Sequence, residues 1–450
     1  MIGAGSSGIA AAKALHERAV PFDCFEVSDR VGGNWAFQNP NGMSSAYRSL
    51  HINTSRERME YADFPMPADL PDYPHHTHIA KYFNDYVDHF GLRERITFGT
   101  AVEHAERSSD GVWEISLSTG ELRRYDALIV ANGHHWDPRW PEPPFPGQFS
   151  GEQLHAHQYL DNVGLRDKAV LVVGIGNSAM DIAVECSRVA KRTVISSRRG
   201  AWILPKYMFG RPLDQLLVSP LTPLTPWPVR RSILTALYRV SVGPLERYGL
   251  PRPDHRLGEA HPTVSSDFLN TLAHGELRWR PNISRLDGER VRFEDGTSEQ
   301  IDTIIWCTGY KVTFPFFDQD LISAPDNDLP LYKRVFKPGI DNLCFIALLQ
   351  PLGATMPIAE AQGKWVAAYL RGEYHLPPVT QMERITAAER EKMLRRYVAS
   401  KRHTMEVDFD GYLYDLRRER SAGARRARAS GFALPVAPLA RRSQISAATA

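Results

Sequence analysis

Residues 3–8 read Gly3-Ala4-Gly5-Ser6-Ser7-Gly8, and the chain runs on through an alanine-rich stretch, Ile9 to Arg18, to Pro21-Phe22-Asp23-Cys24-Phe25-Glu26-Val27. The order is a glycine turn, a helix-spaced stretch and a short apolar strand. A dinucleotide fold needs the first glycine for the turn, the second for approach to a pyrophosphate and the third for helix–strand packing. The helix N-terminus then supplies N–H donors and partial positive charge. Gly-x-Gly-x-x-Gly alone is weak, but Glu26 stands 18 residues past Gly8, at the end of the strand. A carboxylate there can bind both hydroxyls of a ribose. Gly3, Gly5, Ser6, Ser7, Gly8 and Glu26 are therefore the expected contacts of one dinucleotide.

The same grammar returns at Ala169-Val170-Leu171-Val172-Val173, followed by Gly174-Ile175-Gly176-Asn177-Ser178-Ala179 and a helix expected over Ala179 to Val189. The strand after it, Val194-Ile195-Ser196, ends in Ser197-Arg198-Arg199 with no acidic residue. A carboxylate at that point would repel a 2′-phosphate, whereas arginine pairs with one. Gly174, Gly176, Asn177, Ser178, Ala179, Arg198 and Arg199 thus favour NADP over NAD. Two dinucleotide folds in one chain imply electron transfer between two cofactors, with FAD the natural acceptor for a hydride from NADPH. An internal echo supports the pairing: Asp126 to Gly133 resembles Asp302 to Gly309, each an Asp, a buried strand, then a small residue and Gly.

Composition sets the outer limits. The chain has 450 residues, 43% hydrophobic and 24% charged, an ordinary globular balance that excludes wholesale disorder. Its net charge of +2, from 54 basic and 52 acidic residues, gives no electrostatic case for nucleic acid. No apolar run approaches the ~18 residues that span a bilayer, and the opening residues lack a signal-peptide layout. Cys24, Cys186, Cys307 and Cys344 are scattered and form no C-x-x-C, so a reducing cytoplasm is the expectation. No histidine cluster has metal-ligand spacing, and no metal is expected. Residues 32–74 and 201–260 are irregular and rich in Pro or Gly, as loops that line sites are. After about Arg417 the chain turns basic, with Arg417, Arg418, Arg420, Arg425, Arg426, Arg428, Arg441 and Arg442, and roughly the last 25–30 residues read as a flexible basic tail.

Between the two folds lies Phe149-x-Gly151-x-x-x-His155-x-x-x-Tyr159. This resembles the fingerprint of the flavin-containing monooxygenases, class B flavoproteins that pair FAD with NADPH and are related to the Baeyer–Villiger monooxygenases. The Baeyer–Villiger enzymes end that motif in Trp-Pro, where this chain has Tyr159-Leu160. Further similar segments follow in order: Gly32-Gly33-Asn34-Trp35, Ser49 to Ser55, Asp63-Phe64-Pro65, Gly176 to Asp181, His261-Pro262-Thr263, Thr308-Gly309-Tyr310 and Pro357 to Gln362. The resemblance covers the chain to about residue 420.

The resemblance implies an enzyme in which NADPH reduces FAD, oxygen adds at flavin C4a to give a hydroperoxide, and a soft nucleophile such as an amine or thioether takes one oxygen atom. It adds Asn34, Trp35, Asp181 and Gln362 to the cofactor contacts. Asn53 is the expected catalytic group, since its amide can accept and donate at once; His155 is expected to position the inter-domain link. The implied fold is α/β with two Rossmann-like domains: FAD-binding residues 1–163 and 300–420, an inserted NADP-binding domain over 164–299, and a tail from 421. The expected partners are a small nucleophilic substrate and O2, with no nucleic acid or membrane span and a homodimer left open. Ketone oxygenation on the same fold, and a flavin-poor non-enzymatic relic, stay open as alternatives; the missing C-x-x-C argues against a disulfide reductase. One departure is that the family's first buried strand is reduced to Met1 and Ile2. Losing two or three buried residues of that kind costs about 1.5–3 kcal/mol each, so the expectation is a natural chain that starts earlier.

Overall fold

A computed structural model describes residues 1–216, 225–397 and 403–434, with Val436 and Leu439. Arg441 and Arg442 of the expected tail, and part of the 201–260 stretch, lie outside the described residues. The chain divides into two compact units: residues 1–44, 56–134 and 312–450 form one, and 45–55 with 135–311 form the other.

The first unit is built on short parallel strands. Cys24–Phe25 pairs with Ile96–Thr97, and Leu128–Val130 pairs with Leu343–Phe345. Ile2 bridges the two pairs, parallel to both Phe25 and Val130. Its N–H donates to the Ile129 carbonyl at 2.9 Å and its own carbonyl accepts from Ala131. The two residues before the glycine turn therefore occupy the central position of that sheet. Ile2, Phe25, Leu128, Val130, Leu343 and Phe345 are buried with Trp113 and Phe314 in one apolar cluster. Helix Ser6–Glu17 packs against helix Met356–Leu370. The approach is close because Gly363 faces Ala11: a Cβ on it would lie 2.9 Å from the Ala11 Cα.

The second unit has a five-stranded parallel sheet in the order Leu277–Arg280, Arg192–Ser196, Ala169–Val173, Thr303–Trp306, Glu152–His155. Both faces are covered, as parallel sheets require, and Ala169–Val173 is buried throughout. Helix Asn177–Ser187 follows the central strand.

The units depart from the boundaries expected from the sequence. Residues 135–163 and 300–311 belong with the second unit, because Glu152–His155 and Thr303–Trp306 are strands of its sheet. Residues 45–55 join it too. The expected tail is also corrected over its first part: helix Phe409–Ala429 runs through 421–429, with Leu416, Gly423 and Ala427 buried. The Tyr374 ring lies so close to Gly423 that a Cβ there would sit 1.9 Å away. Arg426 pairs with Glu419, which accepts from the Tyr374 hydroxyl at 2.7 Å.

Candidate functional site

In the first unit the glycine turn shapes a cradle. Gly3 has φ +96°, and a Cβ on it would stand 2.6 Å from the Ala131 carbonyl oxygen. A Cβ on Gly8 would come within 2.0 Å of the Gly3 carbonyl oxygen, so only glycine lets the helix start there. Gly5 is the N-cap, extended, and helix Ser6–Glu17 begins with no side-chain cap and no acid in its first turn. The N–H groups of Ser6, Ser7 and Gly8 therefore have no intrahelical acceptor. The Gly33–Trp35 turn, which carries Asn34 and Trp35, closes one side: a Cβ on Gly33 would be 3.1 Å from the Gly5 Cα.

Glu26 is buried at the end of its strand. Its Oε2 accepts from the Ala4 N–H at 2.6 Å and its Oε1 from the Ser28 N–H at 2.8 Å. Burial pushes its pKa up while these two N–H groups pull it back. Each oxygen keeps lone-pair capacity for a further donor, as ribose hydroxyls require. Gln362 is fully buried, its Oε1 accepting from Ala347 N–H at 2.7 Å and its Nε2 donating to the Tyr412 hydroxyl at 2.6 Å. Those bonds give it a bracing role within the unit. Orphan helix donors, a turn packed too tightly for a Cβ at Gly3 or Gly8 and a buried carboxylate beside it fit FAD.

The second unit repeats the design. Gly174 has φ +138°, and a Cβ on it would be 2.6 Å from the Cys307 carbonyl oxygen. Gly176 caps helix Asn177–Ser187, again without a side-chain cap or an acid in the first turn, and Ala179 is buried. The Asn177 Oδ1 accepts from Val264 N–H at 2.8 Å, and Thr263 Oγ1 donates to the Ile175 carbonyl at 2.8 Å. The His261-Pro262-Thr263 segment thus buttresses the turn from its side. Beyond the next strand, the Trp279 Nε1 donates to the Ser197 Oγ at 2.9 Å. Arg198 is exposed and makes no ion pair among the described residues, whereas Arg199 pairs with Asp254 at 3.4 Å. The free donors, the glycine cradle and an arginine without a carboxylate partner fit NADP.

The fingerprint residues all lie in this unit. The Phe149 ring and the Asp302 carbonyl close over Gly151, where a Cβ would be 2.7 Å and 2.4 Å away. His155 is fully buried in the edge strand, and burial lowers its pKa to about 4. Its Nδ1 accepts from the His157 N–H at 3.1 Å, so the proton of the neutral ring sits on Nε2. The ring stacks edge-on to Tyr310, 5.4 Å between centroids. Thr308 Oγ1 donates to the Arg139 carbonyl, and the Gly309 carbonyl accepts from Arg139 N–H at 2.9 Å. Tyr159 packs edge-on to Tyr47 at 6.1 Å.

Asn53 lies in this unit as well. Its Oδ1 is buried and has no hydrogen-bond partner among the described residues. Such an orphan costs about 1–3 kcal/mol, and an acceptor facing no protein donor suits the amide NH2 of a nicotinamide. Flanking bonds hold its backbone: Lys206 Nζ reaches the Ile52 carbonyl at 3.4 Å, and the Ser55 N–H donates to Asp214 Oδ2 at 2.6 Å. Asp181 spends its carboxylate on the Tyr47 hydroxyl. Tyr47, Glu185, Lys206 and Asp214 were not singled out from the sequence. The available signal was the i, i+4 pair Asp181/Glu185, two acidic side chains on one face of the expected helix.

A family model described as flavin-binding monooxygenase-like matches residues 1–425. Flavin-containing monooxygenase 5 of Rattus norvegicus is 36% identical over 427 residues, covering 91% of this chain and 80% of the relative. The relative named dimethylaniline monooxygenase [N-oxide-forming] 2, from the same organism, is 33% identical over 434 residues, with 92% and 81% covered. Among solved structures, S-allyl-L-cysteine S-oxygenase from Allium sativum is similar with a TM-score of 0.70 and 25% identity, covering 93% of this chain and 87% of that one.

Proposed function

The chain belongs to the flavin-binding monooxygenase-like family, and from that premise we propose a division of labour among its residues. It is an FAD- and NADPH-dependent monooxygenase of nitrogen or sulfur nucleophiles. The overall change is substrate + O2 + NADPH + H⁺ → oxygenated substrate + NADP⁺ + H2O. Bound FAD supplies the redox chemistry, namely reduction by NADPH and activation of O2.

The protein's own work is binding, orientation and exclusion of water. Gly3, Gly5, Ser6, Ser7 and Gly8 hold the FAD pyrophosphate and Glu26 its ribose. Gly174, Gly176, Ser178 and the first turn of Asn177–Ser187 hold the NADP pyrophosphate, and Arg198 its 2′-phosphate. Asn53 accepts from the nicotinamide amide. Neutral His155 takes no proton and braces the strand beneath Tyr310. The observation that carries this reading is the contrast between the two turns: a buried carboxylate, Glu26, follows the strand beside one, and Arg198, an exposed cation with no ion pair among the described residues, follows the strand beside the other. We also propose a cytoplasmic location, supported by four free cysteines, and domain roles that follow the two compact units. Among the described residues no helix is long and apolar enough to cross a membrane.

The test is cofactor preference with an amine and a thioether probe. The purified chain carries FAD and turns over with NADPH far better than NADH, and Arg198→Ala narrows that preference. A preference for NADH, or an unchanged preference in Arg198→Ala, overturns the assignment.

A further inference from the structure

The segment from Tyr47 to Ser55 has no regular secondary structure, yet Tyr47, Arg48, Ser49, Ile52 and Ser55 bond it to the rest of the second unit. The Tyr47 hydroxyl donates to Asp181 Oδ2 at 2.6 Å, and the Ser49 Oγ donates to Glu185 Oε2 at 2.7 Å. Asp181 and Glu185 stand one helical turn apart on Asn177–Ser187, the helix that opens at the NADP turn. Arg48 adds a bond from its N–H to the Leu160 carbonyl at 2.8 Å and an ion pair to Asp161 at 3.1 Å. Lys206 and Asp214 fix the far end at Ile52 and Ser55. The Tyr47 ring is buried against Tyr159 of the fingerprint.

The Asn53 amide oxygen, at the centre of this segment's far half, has no hydrogen bond of its own among the described residues to orient it. Its direction is therefore inherited from the backbone. We propose that Asp181 and Glu185 are positioning residues: they form a carboxylate rail along which the Tyr47–Ser55 segment is docked, so that the helix that holds NADP also aims Asn53 at the nicotinamide. Asp181 then acts through Tyr47 and not by touching the cofactor. This rests on the reading of Asn53 given above. It also gives Tyr159 a task, as the wall that keeps the Tyr47 hydroxyl on its acceptor.

The experiment compares Asn53→Ala, Tyr47→Phe, Asp181→Ala and Asp181→Asn in the FAD-loaded protein. Three readouts are taken: the NADP⁺ dissociation constant of the resting enzyme by fluorescence titration, the H2O2 released per NADPH oxidised, and the melting temperature. Tyr47→Phe keeps the buried ring and loses only the donor. It and Asp181→Ala are expected to weaken NADP⁺ about tenfold, the scale of one hydrogen bond to a charged group, and to divert NADPH to H2O2 as Asn53→Ala does. Asp181→Asn keeps an acceptor oxygen for Tyr47 and is expected to stay near the parent in both. If Asn53→Ala diverts NADPH but Tyr47→Phe matches the parent, the rail is overturned and the reading of Asn53 stands. If Asn53→Ala itself matches the parent, that reading falls and the rail with it. Lower melting with NADP⁺ affinity and H2O2 unchanged would also overturn the proposal, since it would mark the bond as merely structural.

Discussion

The carbonyl oxygen of Cys307 lies where a Cβ on Gly174 would be only 2.6 Å away, and the Ala131 carbonyl stands in the same relation to Gly3 at 2.6 Å. In each unit the residue after a buried parallel strand closes on the first glycine of the dinucleotide turn. That shared constraint is the physical content of the internal echo between Asp126–Gly133 and Asp302–Gly309. It makes the two cofactor sites separately breakable.

Gly8→Ala is expected to abolish FAD retention, because its Cβ would meet the Gly3 carbonyl oxygen at 2.0 Å. Gly174→Ala, strained at φ +138° and crowded by Cys307, is expected to keep FAD while raising the NADPH KM at least tenfold. Flavin absorbance per chain and NADPH kinetics check the pair. FAD loss in Gly174→Ala would contradict the division.

Arg198 and Arg199 are neighbours with different standing. Arg198→Ala is expected to raise the NADPH KM by about 10–100-fold, the scale of a charge-assisted phosphate contact of roughly 1.5–3 kcal/mol, and to leave the NADH KM nearly unchanged. Arg199→Ala is expected to have a smaller effect, since Arg199 already pairs with Asp254. Steady-state kinetics with both nucleotides decide.

The Asp181 carboxyl is pushed up to about 6, chiefly by burial, with the Tyr47 hydrogen bond and the Lys206 charge opposing. A carboxyl raised in the folded state contributes stability at low pH and loses it as pH rises from its ordinary 3.8 through about 6. Asp181→Asn is therefore expected to flatten the fall in unfolding free energy over that window. Urea melts across the pH range measure it, and an identical slope in parent and variant contradicts it.

Gly151→Ala drives a methyl into the Phe149 ring and the Asp302 carbonyl. Overpacking of this kind costs about 1–3 kcal/mol, visible as a lower urea midpoint. The substitution is expected to loosen strand Glu152–His155 at the sheet edge and to leave flavin content intact.

Much of this was legible because it is local. Gly3 to Gly8 with Glu26, and Gly174 to Ala179 with Arg198, are short stretches whose spacing states their geometry. The docking of Tyr47 on Asp181 was not, because the partners are 134 residues apart and neither sits in a periodic pattern. Residues 45–55 look like loop between parts of one domain and are bonded into the other unit. The helix through 421–429 was missed because its buried face is made of Gly423 and Ala427, too small to register as apolar periodicity, and its stability comes from Tyr374 packing on that face. Asp181, Asn177 and Gln362 carry family motifs, yet their side chains are bonded to protein, a distinction no spacing conveys.

The central claim is that NADPH and O2 are spent together on a soft nucleophile. The most direct measurement is turnover of a tertiary amine such as dimethylaniline, and of a thioether, under heavy-isotope O2, counting NADPH, product and H2O2. The account predicts one labelled oxygen atom in the N-oxide or sulfoxide for each NADPH oxidised. NADPH consumed with H2O2 as the sole oxygen product for every nucleophile tried, or product oxygen that comes from water, would contradict it.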